Sequence, residues 1–206
     1  MTSPSRRAFI GVATASLLVN CGGPEAGRGT TARPGSAPPP SHSSGSPATA
    51  AHALGRSVPV ALRIPAIGVD TPVMELGLAP DGSVQVPPIT AHDRAGWYRH
   101  SPTPGQTGPS VILGHVTVGS YGDGVFRHLA RLRRGDRIVA RLRNGTEAPF
   151  AVGAVRTVAK ADFPTEDVYG DVSGPELRLI TCGGPRAGDE YLDNVIVFAA
   201  LSSERP

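Results

Sequence analysis

Sulfur and aromatic rings are scarce in this chain. Its two cysteines, Cys21 and Cys182, are too few and too far apart for a disulfide framework or a zinc-binding cysteine pair. There is no HExxH segment and no paired-carboxylate signature, so neither a metal nor a cofactor is expected. Aromatic residues make up 5% of the sequence, and none falls within its most basic stretch, 127–143, as stacking on nucleic-acid bases would require. Acidic residues are missing altogether from positions 1–20. No apolar run approaches the length of about 20 residues that a membrane-spanning helix needs.

What stands at the N-terminus instead is a targeting pattern. Ser5-Arg6-Arg7-Ala8-Phe9-Ile10 has the form of a twin-arginine signal, and the apolar run over 9–19 is about half the length of a bilayer-spanning helix. Leu18-Val19-Asn20-Cys21 then resembles a lipoprotein cleavage box, with Asn20 in place of the usual small residue. Residues 1–21 are therefore expected to direct export, with Cys21 lipidated; plain secretion or a retained anchor are the alternatives. The expected location is extracytoplasmic, tethered to the membrane at the cell surface. The formal charge of +3 falls to +1 once Arg6 and Arg7 leave with the signal. A body so close to neutral gives no reason to expect nucleic acid as a partner.

Residues 22–57 are dominated by Gly, Pro, Ser, Ala and Thr, including Pro38-Pro39-Pro40, and hold no apolar cluster to bury. This composition reads as a disordered spacer that gives a tethered domain its reach, with His42 and His52 as solvated bystanders. From residue 58 the pattern changes to short β segments divided by Gly and Pro, over 58–64, 69–74, 83–86, 97–98, 110–115, 137–143, 148–160, 176–181 and 194–201. Phe126, Leu129 and Leu132 suggest a helical turn or two over 125–133, and a second short helix is expected to begin at Thr165 after Pro164. Many short strands with few helices predict an all-β sandwich or closed barrel.

The seven arginines of 127–143 have an ordinary explanation. Ile138, Ala140 and Leu142 alternate with Arg137, Arg141 and Arg143, the signature of one buried and one solvated strand face. His92, His100 and His128 are expected to face solvent or to satisfy loop backbone.

Cys182 stands apart from these. It follows the apolar stretch Leu177-Arg178-Leu179-Ile180-Thr181 and precedes Gly183-Gly184, where a strand gives way to a turn. If Cys21 carries lipid, Cys182 has no partner for a disulfide within the chain, and an unpaired exported thiol needs a reason. One reading is a small buried hydrophobe. The other is a nucleophile, because Val111-Ile112-Leu113-Gly114-His115 places an imidazole at the end of a second apolar strand. An uncoupled thiol and imidazole with ordinary pKa values of about 8.5 and 6.5 would both be charged in roughly 1% of molecules at pH 7, which is slow but workable.

Taken together, Gly114-His115-Val116, Phe163-Pro164-Thr165, Val168-Tyr169-Gly170, the Leu177 to Gly184 box and Tyr191-Leu192-Asp193-Asn194-Val195 are recognisable. The chain resembles the bacterial sortases over about 58–201, and within them the actinobacterial group often called class F. The resemblance implies a closed eight-stranded β-barrel with one or two short helices, spanning 58–203. It implies a cysteine transpeptidase that cuts a Leu-Pro-any-Thr-Gly type signal after threonine through a thioester and passes the acyl group to an amine. Its partners would be secreted proteins bearing a C-terminal sorting signal, an amine of the cell wall or of another protein, and the membrane through the N-terminal anchor.

Carried over residue by residue, Cys182 is the nucleophile and His115 the acid/base. The family's third residue, an arginine on the strand after the cysteine that faces the developing oxyanion, has no direct counterpart. Asn194 stands near that position, and Arg186 in the preceding loop is the favoured substitute, with a distant arginine such as Arg99 or Arg178 also open. Because that arginine is missing, a sortase-like lipoprotein used for binding is the alternative function. A hydrolase that lets water resolve the thioester is a third.

Overall fold

The computed structural model describes residues 52–203. The expected export signal, Cys21, His42 and most of the spacer lie outside the described residues. The strands are β1 (Pro59–Ile64), β2 (Val69–Leu76), β3 (Ala95–Tyr98), β4 (Gly108–Leu113), β5 (Thr117–Val118), β6 (Gly122–Asp123), β7 (Arg137–Leu142), β8 (Glu147–Ala159), β9 (Pro175–Ala187) and β10 (Glu190–Leu201). One α-helix, α1 (Thr165–Tyr169), lies between β8 and β9. Eight of the strands close into a barrel in the order β1-β2-β3-β4-β9-β10-β8-β7, and β5 and β6 form a separate small hairpin. Closure leaves the barrel without an open edge.

Two of the barrel pairings, β2 with β3 and β4 with β9, are parallel. The β4–β9 pair is the one whose sequences do not alternate. All six residues of β4 are buried, and so are Leu177 to Thr181 of β9. Leu177, Leu179, Ile112, Val195 and Val197 fill the barrel interior with Trp97 and Phe150. On the opposite face, Val111, Leu113, Ile180 and Ile196 form a second apolar cluster with Leu76 and with Val168 of α1. Strands covered on both sides carry apolar residues on both faces, which is why 110–115 and 176–181 read as largely apolar runs, with Arg178 as the buried charged exception. β7, by contrast, buries Ile138, Ala140 and Leu142 and exposes Arg137 and Arg141, as its alternation predicted.

Several local expectations differ from what is found. Residues 83–86 form no strand; only an isolated bridge joins Val84 to Leu78. The segment 125–133 supports one 3₁₀ turn, Leu129–Arg131, because three-residue spacing followed by Gly135 is too short for an α-helix. β9 and β10 run well past 181 and before 194, forming a long hairpin that projects beyond the barrel. Leu54, on the spacer side of the expected boundary, is already bonded to the domain: its N–H donates to the Gly105 carbonyl at 2.7 Å and its side chain packs on the core.

Candidate active site

The parallel ladder of β4 and β9 builds the site. Leu113 pairs with Ile180, and the Gly114 N–H donates to the Ile180 carbonyl at 3.1 Å, one residue past the end of β4. The ladder ends there: His115 follows β4 by two residues, and Cys182 lies two residues beyond Ile180 on β9. Ile180 faces the outer layer, so at period two Cys182 faces the same way on β9.

Thr181 and Gly183 are buried, and Cys182 between them is exposed. That excludes the buried-hydrophobe reading of this thiol. Both Cys182 and His115 line one groove of about 460 Å³. The β5–β6 hairpin forms one wall and the β9–β10 hairpin the other, tied by a 3.0 Å hydrogen bond between the Thr117 and Tyr191 hydroxyls.

The backbone at His115 and Val116 is held by two hydrogen bonds from the segment 124–126. The His115 carbonyl accepts the Phe126 N–H at 2.9 Å, and the next carbonyl, of Val116, accepts the Gly124 N–H at 2.9 Å. Gly124 is required there, since a Cβ would collide with the His115 carbonyl. The imidazole itself is bonded through Nε2 to the carbonyl oxygen of Pro87, at 2.6 Å. After Cys182, Gly184 sits within β9 at φ +72°, beside a register shift in the β9–β10 pair, with the Asp193 carboxylate against it where a side chain would stand.

Arg186 lines the same groove, two strand periods past Cys182. Its guanidinium lies 5.0 Å from the Tyr191 ring centre and donates to the Asp189 carbonyl at 3.2 Å. Asn194 sits directly across the ladder from Cys182, which puts their Cβ atoms about 5 Å apart. Lys160, Asp189 and Glu190 add charges of both signs at the rim.

The two distant arginines are placed elsewhere. Arg178 is buried, paired with Glu176 at 2.6 Å, and donates to the Asp167 carbonyl of α1 at 3.1 Å. Arg99 is exposed beside His100. Of the other histidines, His100 is exposed and lines a separate hollow, while His92 is half-buried against the Tyr121 ring. Among the described residues, no group of three or more His, Cys, Asp or Glu is arranged to hold a metal ion. Sequence reasoning missed the Pro87 contact and the Thr117–Tyr191 tie. A backbone acceptor leaves no side-chain signature, and a hydroxyl pair 74 residues apart has no spacing to recognise.

A closed barrel with an exposed cysteine and a histidine in one groove defines a class of thiol enzyme. The sortase domain matches residues 62–202 by sequence profile, and the chain belongs to the sortase family, the cysteine transpeptidases that act on sorting-signal proteins and amine acceptors. Among solved structures it is similar to a lid mutant of sortase A from Corynebacterium diphtheriae, at 21% identity and TM-score 0.56 over 74% of each chain. It is also similar to a sortase D5 transpeptidase from Clostridium perfringens, at 22% identity and TM-score 0.53, covering 71% of this chain and 79% of that one. Sortase C-1 from Actinomyces oris matches at 20% identity and TM-score 0.54, over 70% and 73%. No curated protein matches the chain by sequence.

Proposed function

We propose that this sortase is an exported, membrane-tethered transpeptidase of the class F type that cleaves a Leu-Pro-any-Thr-Gly-like signal through a thioester on Cys182. The observation that carries the reading is the exposed Cys182 thiol sharing a groove with the His115 imidazole. The thiolate attacks the threonine carbonyl, and His115 delivers a proton to the departing amine. The acyl group then passes to an incoming amine, from which His115 takes the proton back. Arg186 is the proposed oxyanion donor: it lies on the same groove, and releasing Asp189, whose carbonyl it bonds and whose carboxylate lies 3.8 Å away, would free its guanidinium for a substrate oxygen.

Twin-arginine export and lipidation at Cys21 complete the proposal, supported by residues 5–10 and 18–21. A barrel used only for binding would have no need of an accessible thiol beside an imidazole.

The test is incubation of the protein with a Leu-Pro-Ala-Thr-Gly peptide and an amine, followed by mass spectrometry. Acyl-enzyme and ligated product are expected, with a bell-shaped pH dependence, and both species are expected to vanish in Cys182→Ala. Full turnover in that variant would overturn the assignment; cleavage without ligation would make the enzyme a hydrolase.

A further inference from the structure

The shortest side-chain contact of the candidate site is made to a backbone atom of a distant loop. Nε2 of His115 lies 2.6 Å from the carbonyl oxygen of Pro87, in the connection between β2 and β3. A carbonyl oxygen only accepts, so the nitrogen facing it carries hydrogen in both the neutral and the charged ring. That leaves Nδ1 as the one position of this imidazole that gains and loses a proton while the contact holds.

The loop is built to hold that oxygen still. Pro87 is buried, whereas Val86, Pro88 and Ile89 around it are exposed, so the residue inserts toward the site from a surface strap. The following ring, Pro88, disfavours helical geometry at Pro87 and so restricts the direction of its carbonyl. On the C-terminal side the Ala91 N–H bonds the Pro88 carbonyl at 2.8 Å and closes the Ile89–Ala91 turn. On the N-terminal side the Gln85 N–H bonds the Gly77 carbonyl at 3.0 Å, next to the Leu78–Val84 bridge. The acceptor is thus anchored at both ends.

We infer that Pro87, stiffened by Pro88, is the positioning residue of the acid/base histidine, and that Nδ1 of His115 is the atom that exchanges protons in the reaction. The inference rests on the reading of His115 as the acid/base group. In the first half-reaction the Nδ1 proton of the imidazolium passes to the departing amine as the peptide C–N bond breaks and the acyl group stays on Cys182. In the second, neutral Nδ1 takes a proton from the incoming amine as the new C–N bond forms and the C–S bond breaks, which restores thiolate and imidazolium. Nε2–H remains on the Pro87 carbonyl throughout. The other titratable and charged groups lining this groove are Lys160, Cys182, Arg186, Asp189, Glu190 and Tyr191.

The experiment is nitrogen NMR of the ¹⁵N-labelled full chain, with the His115 resonances assigned by loss in His115→Gln. The expected result is a neutral ring held as the Nε2–H tautomer. A neutral ring found as the Nδ1–H tautomer overturns the inference whatever the enzyme does. In Pro88→Gly the tautomer preference is expected to weaken, and kcat to fall on the order of 10- to 100-fold with KM little changed. Weakened preference with unchanged kcat would overturn the positioning role. Should Pro88→Gly fail to fold, the tautomer of the unaltered chain still decides the matter. Failure of the underlying reading is separately visible: His115→Gln would then turn over at the full rate, with the tautomer unaffected as a structural fact.

Discussion

At the scale of single residues, the site depends on groups whose positions are set by the backbone around them. Gly124 presses against the carbonyl that follows the His115 side chain, so Gly124→Ala forces backbone to move and is expected to cost about 1–3 kcal/mol. Urea denaturation measures the stability loss, and the rate of thioester formation should fall with it. The oxyanion donor is a second residue-scale question. Arg186 has the charge and Asn194 has the position opposite Cys182. Arg186→Ala is expected to lower turnover on the order of 100-fold and Asn194→Ala far less, as steady-state kinetics would show; the reverse order would transfer the role to Asn194.

At the scale of elements, the outer layer over β4, β9 and β10 matters as much as the barrel interior. Helix α1 has five residues and no side-chain cap, too little to be stable alone, and it is held by Val168 in the outer cluster and by Arg178 bonding the Asp167 carbonyl. Tyr169 adds to this attachment, with its ring edge-on to Tyr98 at 6.3 Å. Burial, and then the neighbouring Tyr98, raise the Tyr169 phenol above its usual value near 10. The fold therefore favours the neutral phenol. That contribution is complete below about pH 10 and is lost as pH rises through the higher folded value. Tyr169→Phe, which cannot ionise, is expected to flatten the alkaline decline in melting temperature, measured by circular dichroism between pH 8 and 11.

At the scale of the whole molecule, the barrel is preceded in sequence by a stretch dominated by Gly, Pro, Ser, Ala and Thr. If residues 1–21 act as proposed, Cys21→Ala abolishes palmitate labelling while the proposed peptide-ligation activity is kept. Labelling that persists in Cys21→Ala would remove the lipid anchor from the proposal. Acceptor and donor proteins would then meet the groove wherever the spacer's reach allows, and both the length and the proline content of a spacer set that reach.

The residue pattern alone was enough for an all-β domain, for the solvated face of the arginine-rich β7 and for a helix starting at Thr165, and it singled out Cys182 and His115 as candidates. Those signals are local: period-two alternation, proline punctuation, and two reactive side chains that each follow an apolar run. Only the tertiary structure decided that Cys182 is exposed rather than buried, that Arg178 serves the packing of α1, and that Asn194 lies across from the thiol while Arg186 lines its groove. It alone brought the Pro87 carbonyl to His115, 28 residues away. Register between strands far apart in sequence, and the direction of a main-chain oxygen, are properties of the closed barrel that no neighbouring residue encodes.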